Sequence, residues 1–200
     1  MSRAVTILSF IICVSLPSFG GSFFSGSDTA CFYGSPNTSC TLSSSATSLG
    51  EGYLFGPPLW YTPNAAGFTA PATGGAIDLG TFSFNEDLFA IADGTFDIDL
   101  DFTAPSGAGG QTYTAEASGF VIFGYGGAEI DFNQPTDQTF DYAGGAFNVL
   151  LPSTVLIGAG CSQELYATIT PEPVSAGAVG LGIGLLALTR ARMRKRAQVR

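Results

Sequence analysis

The chain has 200 residues, enough for one domain with a proper core, and carries seven basic residues, sixteen acidic ones, four cysteines and no histidine. All seven basic residues sit at the ends, at Arg3 and beyond Thr189, so residues 4–189 hold every acid and no Lys, Arg or His. This composition excludes a nucleic-acid site, a cationic clamp for phosphorylated or anionic substrates, an imidazole metal centre, and Ser-His-Asp or Cys-His catalysis.

The first 20 residues read as a helical secretory signal. Arg3 supplies the positive start, residues 5–16 the apolar core, and Ser18-Phe19-Gly20 a small-x-small cleavage site. The expected partners are the secretion translocon and signal peptidase. Cys13 lies in the apolar core after Ile12, where lipoprotein processing needs a small residue, and is expected to leave with the signal.

Residues 21–75 are rich in Ser, Thr, Gly and Pro, with aromatics at Tyr53, Phe55, Trp60, Tyr61 and Phe68. They read as an irregular region packed on the body, and the polar run 40–48 as a mobile loop. Asn37-Thr38-Ser39 fits a glycosylation sequon. Without Cys13, the cysteines are Cys31, Cys40 and Cys161. The favoured bridge is Cys31–Cys40, closing a small loop and leaving Cys161 unpaired; Cys161 pairing with either of them is the alternative.

Residues 76–170 read as the core of an all-β fold, an antiparallel β-sandwich of about eight strands, with a closed barrel as runner-up. The clearest strand is 95–103, with Phe96, Ile98, Leu100 and Phe102 on one face and Asp97, Asp99 and Asp101 on the other. Asp93-Gly94 is expected to close a hairpin onto residues 88–92. Further strands are expected at 77–84, 111–117, 120–123, 129–133, 138–142, 146–151 and 164–170. The acidic row reads first as a solvated face. Calcium is the functional alternative, because hard oxygen ligands are what the chain offers, though Asp131, Asn133, Glu86 or Asp87 must then converge on Asp97, Asp99 and Asp101. A carboxylate-dependent hydrolase is a third reading. Trp60, Tyr61 and Tyr125 are candidate sugar-stacking platforms, while most of the seventeen Phe residues belong in a core.

The last thirty residues have three parts. Pro171-Glu172-Pro173 cannot continue a helix or a central strand and is expected to be extended and accessible. Residues 174–189 are uncharged and apolar, roughly 24 Å long as a helix, which is short for a hydrocarbon core of ~30 Å. Arg190, Arg192, Arg194, Lys195 and Arg196 follow and place the C-terminus in the cytoplasm. An anchor that stays in place is the alternative to a removable one.

This combination resembles the PEP-CTERM sorting signal of Gram-negative bacteria. The resemblance covers about thirty of 200 residues and implies an inner-membrane-anchored precursor whose tail is recognised and removed by an exosortase. The released protein is then expected at the outer surface or in an extracellular matrix, alongside exopolysaccharide. The segment from Thr95 to Tyr142 is similar in layout to other small ectodomains bearing this tail. Taken together, the expectation is an exported, non-enzymatic surface or biofilm-matrix protein without a cofactor. The alternative is a carbohydrate-binding module using exposed aromatics and calcium.

Overall fold

Strict alternation sets the longest strand. Phe96, Ile98, Leu100 and Phe102 are buried and the intervening aspartates lie on the opposite face, as expected of a half-wet strand. The computed structural model describes residues 22–34, 39–52, 56–132 and 135–172. The signal segment, most of the sequon, Tyr53, Phe55, Asn133, Pro173, the apolar span and the basic tail lie outside the described residues.

Thirteen strands follow in chain order. They are β1 (Ser22–Gly34), β2 (Thr47–Leu49), β3 (Glu51–Gly52), β4 (Leu59–Pro63), β5 (Phe68–Pro71), β6 (Gly75–Phe84) and β7 (Phe89–Ala104). The remainder are β8 (Gly109–Ile122), β9 (Tyr125–Phe132), β10 (Asp137–Tyr142), β11 (Gly145–Leu150), β12 (Thr154–Gly158) and β13 (Cys161–Pro171). One sheet runs β12-β9-β8-β7-β1-β5, with β3 also on β7; the other runs β10-β11-β13-β6-β4-β2. All pairings are antiparallel.

Aromatic side chains join the inner faces of the two curled sheets. Phe96 of the first sheet meets Tyr61 and Phe82 of the second at ring separations of 4.9 and 5.0 Å. Phe102 likewise meets Phe140 and Phe147 at 4.8 Å each, and Phe24 meets Phe147 at 4.8 Å. Such edge-to-face contacts add to the burial of large apolar area. Where β8 extends past β9, amides fasten it to the other sheet: Gln111 Nε2 donates to Thr139 O at 2.6 Å, and Gln138 Nε2 to Thr112 O at 3.0 Å.

Several expectations need correction. The strands number thirteen instead of about eight. Residues 21–75, expected to be irregular, supply β1 through β5, and β1 is an interior strand between β7 and β5. Its Ser, Gly and Asp residues hide the alternation that Asp28, Ala30 and Phe32 follow inward. The run 40–48 is fastened by reciprocal backbone bonds between Ala30 and Ser43 at 2.9 and 3.0 Å, and ends in β2. Segments 111–117 and 120–123 are one strand, β8. Asp93-Gly94 closes no hairpin: both lie inside β7, where Gly94 faces Gly34 of β1. A Cβ on Gly94 would collide with the Tyr33 carbonyl, so this glycine serves close strand approach, not a turn.

Both described ends of the chain lie at one pole. Ser25 pairs with Ala104 at the end of β7, and Pro171 pairs with Phe147, whose ring touches Phe24 and Phe102. The opposite pole is marked by Phe89, the first residue of β7, roughly 50 Å away at ~3.3 Å per residue.

Candidate functional site

The outer face of the first sheet changes character along its strands. Register places Phe89, Ile122 and Tyr125 in one row at the far pole, followed by Ile91, Phe120, Gly127 and Gly158. The third row is Asp93, Ser118, Glu129 and Leu156, and the fourth is Thr95, Glu116, Asp131 and Thr154. Next come Asp97 beside Thr114, then Asp99 beside Thr112. The face thus runs from apolar to acidic within a few residues.

At the acidic end, Thr114 Oγ1 donates to Asp97 Oδ1 at 2.7 Å and Thr112 Oγ1 to Asp99 Oδ1 at 3.1 Å. Threonine hydroxyls on β8 therefore satisfy two of the three row carboxylates. The fourth row adds Glu116 and Asp131, and with Asp93 and Glu129 they line a hollow of about 410 Å³. Among the described residues, the one trio of Cys, Asp or Glu ligand atoms within 4.8 Å of each other is Cys31, Cys40 and Asp97. Its two sulfurs belong to the Cys31–Cys40 disulfide, with Cα atoms 5.5 Å apart. Asp97, Asp99 and Asp101 alternate along a single extended strand and do not converge, nor do Glu86, Asp87 or Asp131 join them. Cys161 is free and exposed.

The apolar end is an open groove of about 690 Å³ that reaches from Ile91 past Phe120 to Leu156. Gly127 leaves its middle unfilled, and a Cβ there would sit 2.6 Å from the Ile157 carbonyl, so strand packing also requires glycine. Eight of the eleven large apolar side chains exposed among the described residues cluster around this pole: Leu88, Phe89, Ile91, Phe120, Ile122, Phe123, Tyr125 and Leu156. Phe123 begins the two-residue turn between β8 and β9 with φ +52°, followed by Gly124 at +77°. Hairpin turns of this shape favour Asn, Asp or Gly at both positions, and a bulky side chain there is strained. The turn is pinned by Phe123 N to Leu88 O at 2.8 Å and Gly124 N to Asp87 O at 2.9 Å.

The three candidate sugar platforms do not meet. Tyr61 is fully buried, which corrects that expectation. Trp60, its neighbour on β4, points to the other side of that strand, and its indole N–H donates to Pro57 O at 2.7 Å. Tyr125, 81% exposed, stands on the other sheet beside the groove.

Tyr61 instead forms a polar site inside the core that was not anticipated. Its hydroxyl is 2.8 Å from the Leu79 carbonyl and 3.1 Å from Asp28 Oδ2, and Asp28 is only 2% exposed. Desolvation pushes the Asp28 carboxyl up to about 6, partly offset by the Tyr61 hydroxyl. Asp28 Oδ1 has no hydrogen-bond partner among the described residues. When protonated, Asp28 donates to Tyr61, whose own proton goes to Leu79, completing a chain of donors. Its shared parity with Ala30 and Phe32 was the signal in the sequence.

Pro171 ends β13 opposite Phe147, and Glu172 N donates to Ala146 O at 3.1 Å. Pro171 is half-buried and Glu172 exposed. Pro173 and the basic residues Arg190 to Arg196 lie outside the described residues. No protein-family model, curated protein or solved structure matches the chain.

Proposed function

We propose that the chain is an exported, non-enzymatic surface or matrix protein, delivered by a C-terminal tail that an exosortase recognises and removes. The observation that carries this reading is where the tail starts. β13 ends at Pro171, which pairs with Phe147, and one further bond runs from Glu172 N to Ala146 O, so the motif begins at the end of the last strand with Glu172 exposed. A processing enzyme needs a site at the margin of the fold and not within it. The Cys31–Cys40 disulfide suits an oxidising compartment. The confinement of all cations to the two ends suits a body that passes through a membrane while its ends engage it. Exopolysaccharide is the expected surrounding, and the inner membrane a transient one.

Mass spectrometry of the exported protein tests this reading. The expected form begins close to residue 21 and has lost the span and the basic tail. Intact chain in the cytosol, or exterior protein that still carries residues 174–200, overturns it. A sugar-binding module is the second reading, favoured by the exposure of Tyr125 in the row of Phe89 and Ile122. Pull-down on neutral glycans, compared with a Tyr125→Ala variant, tests it.

A further inference from the structure

β12 stands at the edge of its sheet, and the bonds Phe132 N to Ser153 O and Ala159 N to Gly126 O set its phase. Val155 and Ile157 therefore bond β9, while the backbone groups of Thr154, Leu156 and Gly158 point away from the sheet. Among the described residues nothing bonds them. Proteins usually blunt such edges with charge, proline or brevity. Here β10 carries Asp137 and Asp141, β5 ends in Pro71, and β2 has three residues. β12, Thr-Val-Leu-Ile-Gly, contains neither a charge nor a proline.

The charges stand beside this strand instead of on it. On the outer face Leu156 lies next to Glu129, and Thr154 next to Asp131. A hollow of about 280 Å³ runs between Thr154 and Leu156 of β12 and Glu164 and Tyr166 of β13. Within it the Tyr166 hydroxyl donates to Glu164 Oε2. Three carboxylates thus flank an open backbone, and residues 4–189 hold no cation to offset them. A second β12 would bring these same acids against its own, so another copy of the chain is repelled.

We propose that β12 accepts an extended basic segment of another polypeptide as an added antiparallel strand. Backbone bonds to Thr154, Leu156 and Gly158 supply affinity whatever the sequence, and side chains of alternate parity supply the selection. One parity falls on the outer face. There a Lys or Arg opposite Leu156, which is 68% exposed, lays its aliphatic stem over that residue. Its charged head then points toward Glu129, whose strand lies two spacings or ~10 Å from the added one. The other parity enters the hollow beside Glu164. The acids that drive off a second copy are therefore the ones that select a basic partner.

The test uses the full chain in a non-ionic detergent at ~0.15 M salt, where diffuse attraction between exposed charges is screened beyond ~8 Å. The probe is the end-blocked peptide Thr-Lys-Val-Lys-Val-Lys-Thr. It should bind and slow amide exchange at Leu156, whose N–H points outward. Methylating the peptide's three lysine backbone nitrogens keeps its charge and should weaken binding by at least ~10-fold. Leu156→Pro should do the same, since it removes an outward N–H and no bond to β9. Glu129→Gln with Asp131→Asn leaves the backbone intact and should weaken binding by at least ~3-fold. A methylated peptide that binds like its parent reduces the attraction to bulk charge and overturns the proposal. So does a peptide with Glu in place of Lys that binds equally well, or no binding of the basic peptide at ~1 mM. Exchange that slows along β10 or β2 and not at Leu156 also overturns it.

Discussion

Asp28 is the residue whose chemistry departs most from its surroundings. A carboxyl raised to about 6 by burial holds its proton more tightly folded than unfolded, where the ordinary value is 3.8. Its contribution to stability is therefore fully present below pH 3.8 and lost as pH rises through about 6. Asp28→Asn removes the titrating proton while keeping a polar partner for Tyr61. We expect it to gain about 1–2 kcal/mol at pH 7 and to flatten the rise in melting midpoint on acidification. Melting curves at several pH values check this; an unchanged pH slope in the variant counts against it. Phe123 is strained in a different way. Replacing it by Gly should relieve its left-handed backbone, stabilising the isolated chain by about 1 kcal/mol, or ~2–4 °C. No gain in midpoint would show that Phe123 is compensated by its contacts.

At the scale of elements, β1 is held by two devices. β7 and β5 pair with it along its length, and the Cys31–Cys40 bridge with the Ala30–Ser43 bonds lays residues 40–46 against it. Replacing both cysteines by serine should cost about 2–3 kcal/mol, read as a lower urea midpoint, and should speed amide exchange at Ser43 well before global unfolding. An unchanged Ser43 exchange rate would mean that backbone pairing alone fastens the loop. The strands that alternate cleanly, β6, β7, β10 and β11, were legible because each has one wet face. β1 and β12 were not. Polar residues hide the inward parity of β1, and β12 is short, with a run of three apolar residues and no polar residue between them.

The whole molecule is a polyanion with segregated surfaces. With sixteen acids and no cation between residues 4 and 189, no ion pair offsets self-repulsion in the body. Raising ionic strength shortens the range of that repulsion, from ~30 Å at 0.01 M to ~8 Å at 0.15 M. The melting midpoint should therefore rise with sodium chloride; a fall over this range would contradict net self-repulsion.

By itself the sequence determined the all-β class, the facing of β7, the absence of cationic and imidazole chemistry, and the expectation of a removable tail. These are local or compositional properties, written in residue type and parity. Only the tertiary structure decided which strands become neighbours, and with that the gradient from apolar to acidic across one sheet. It also decided that Tyr61 lies in the core beside Asp28 and that β12 is left as an open edge. Register and strand order come from packing the sheets against each other, and residues far apart in the chain carry no local mark of whom they will face.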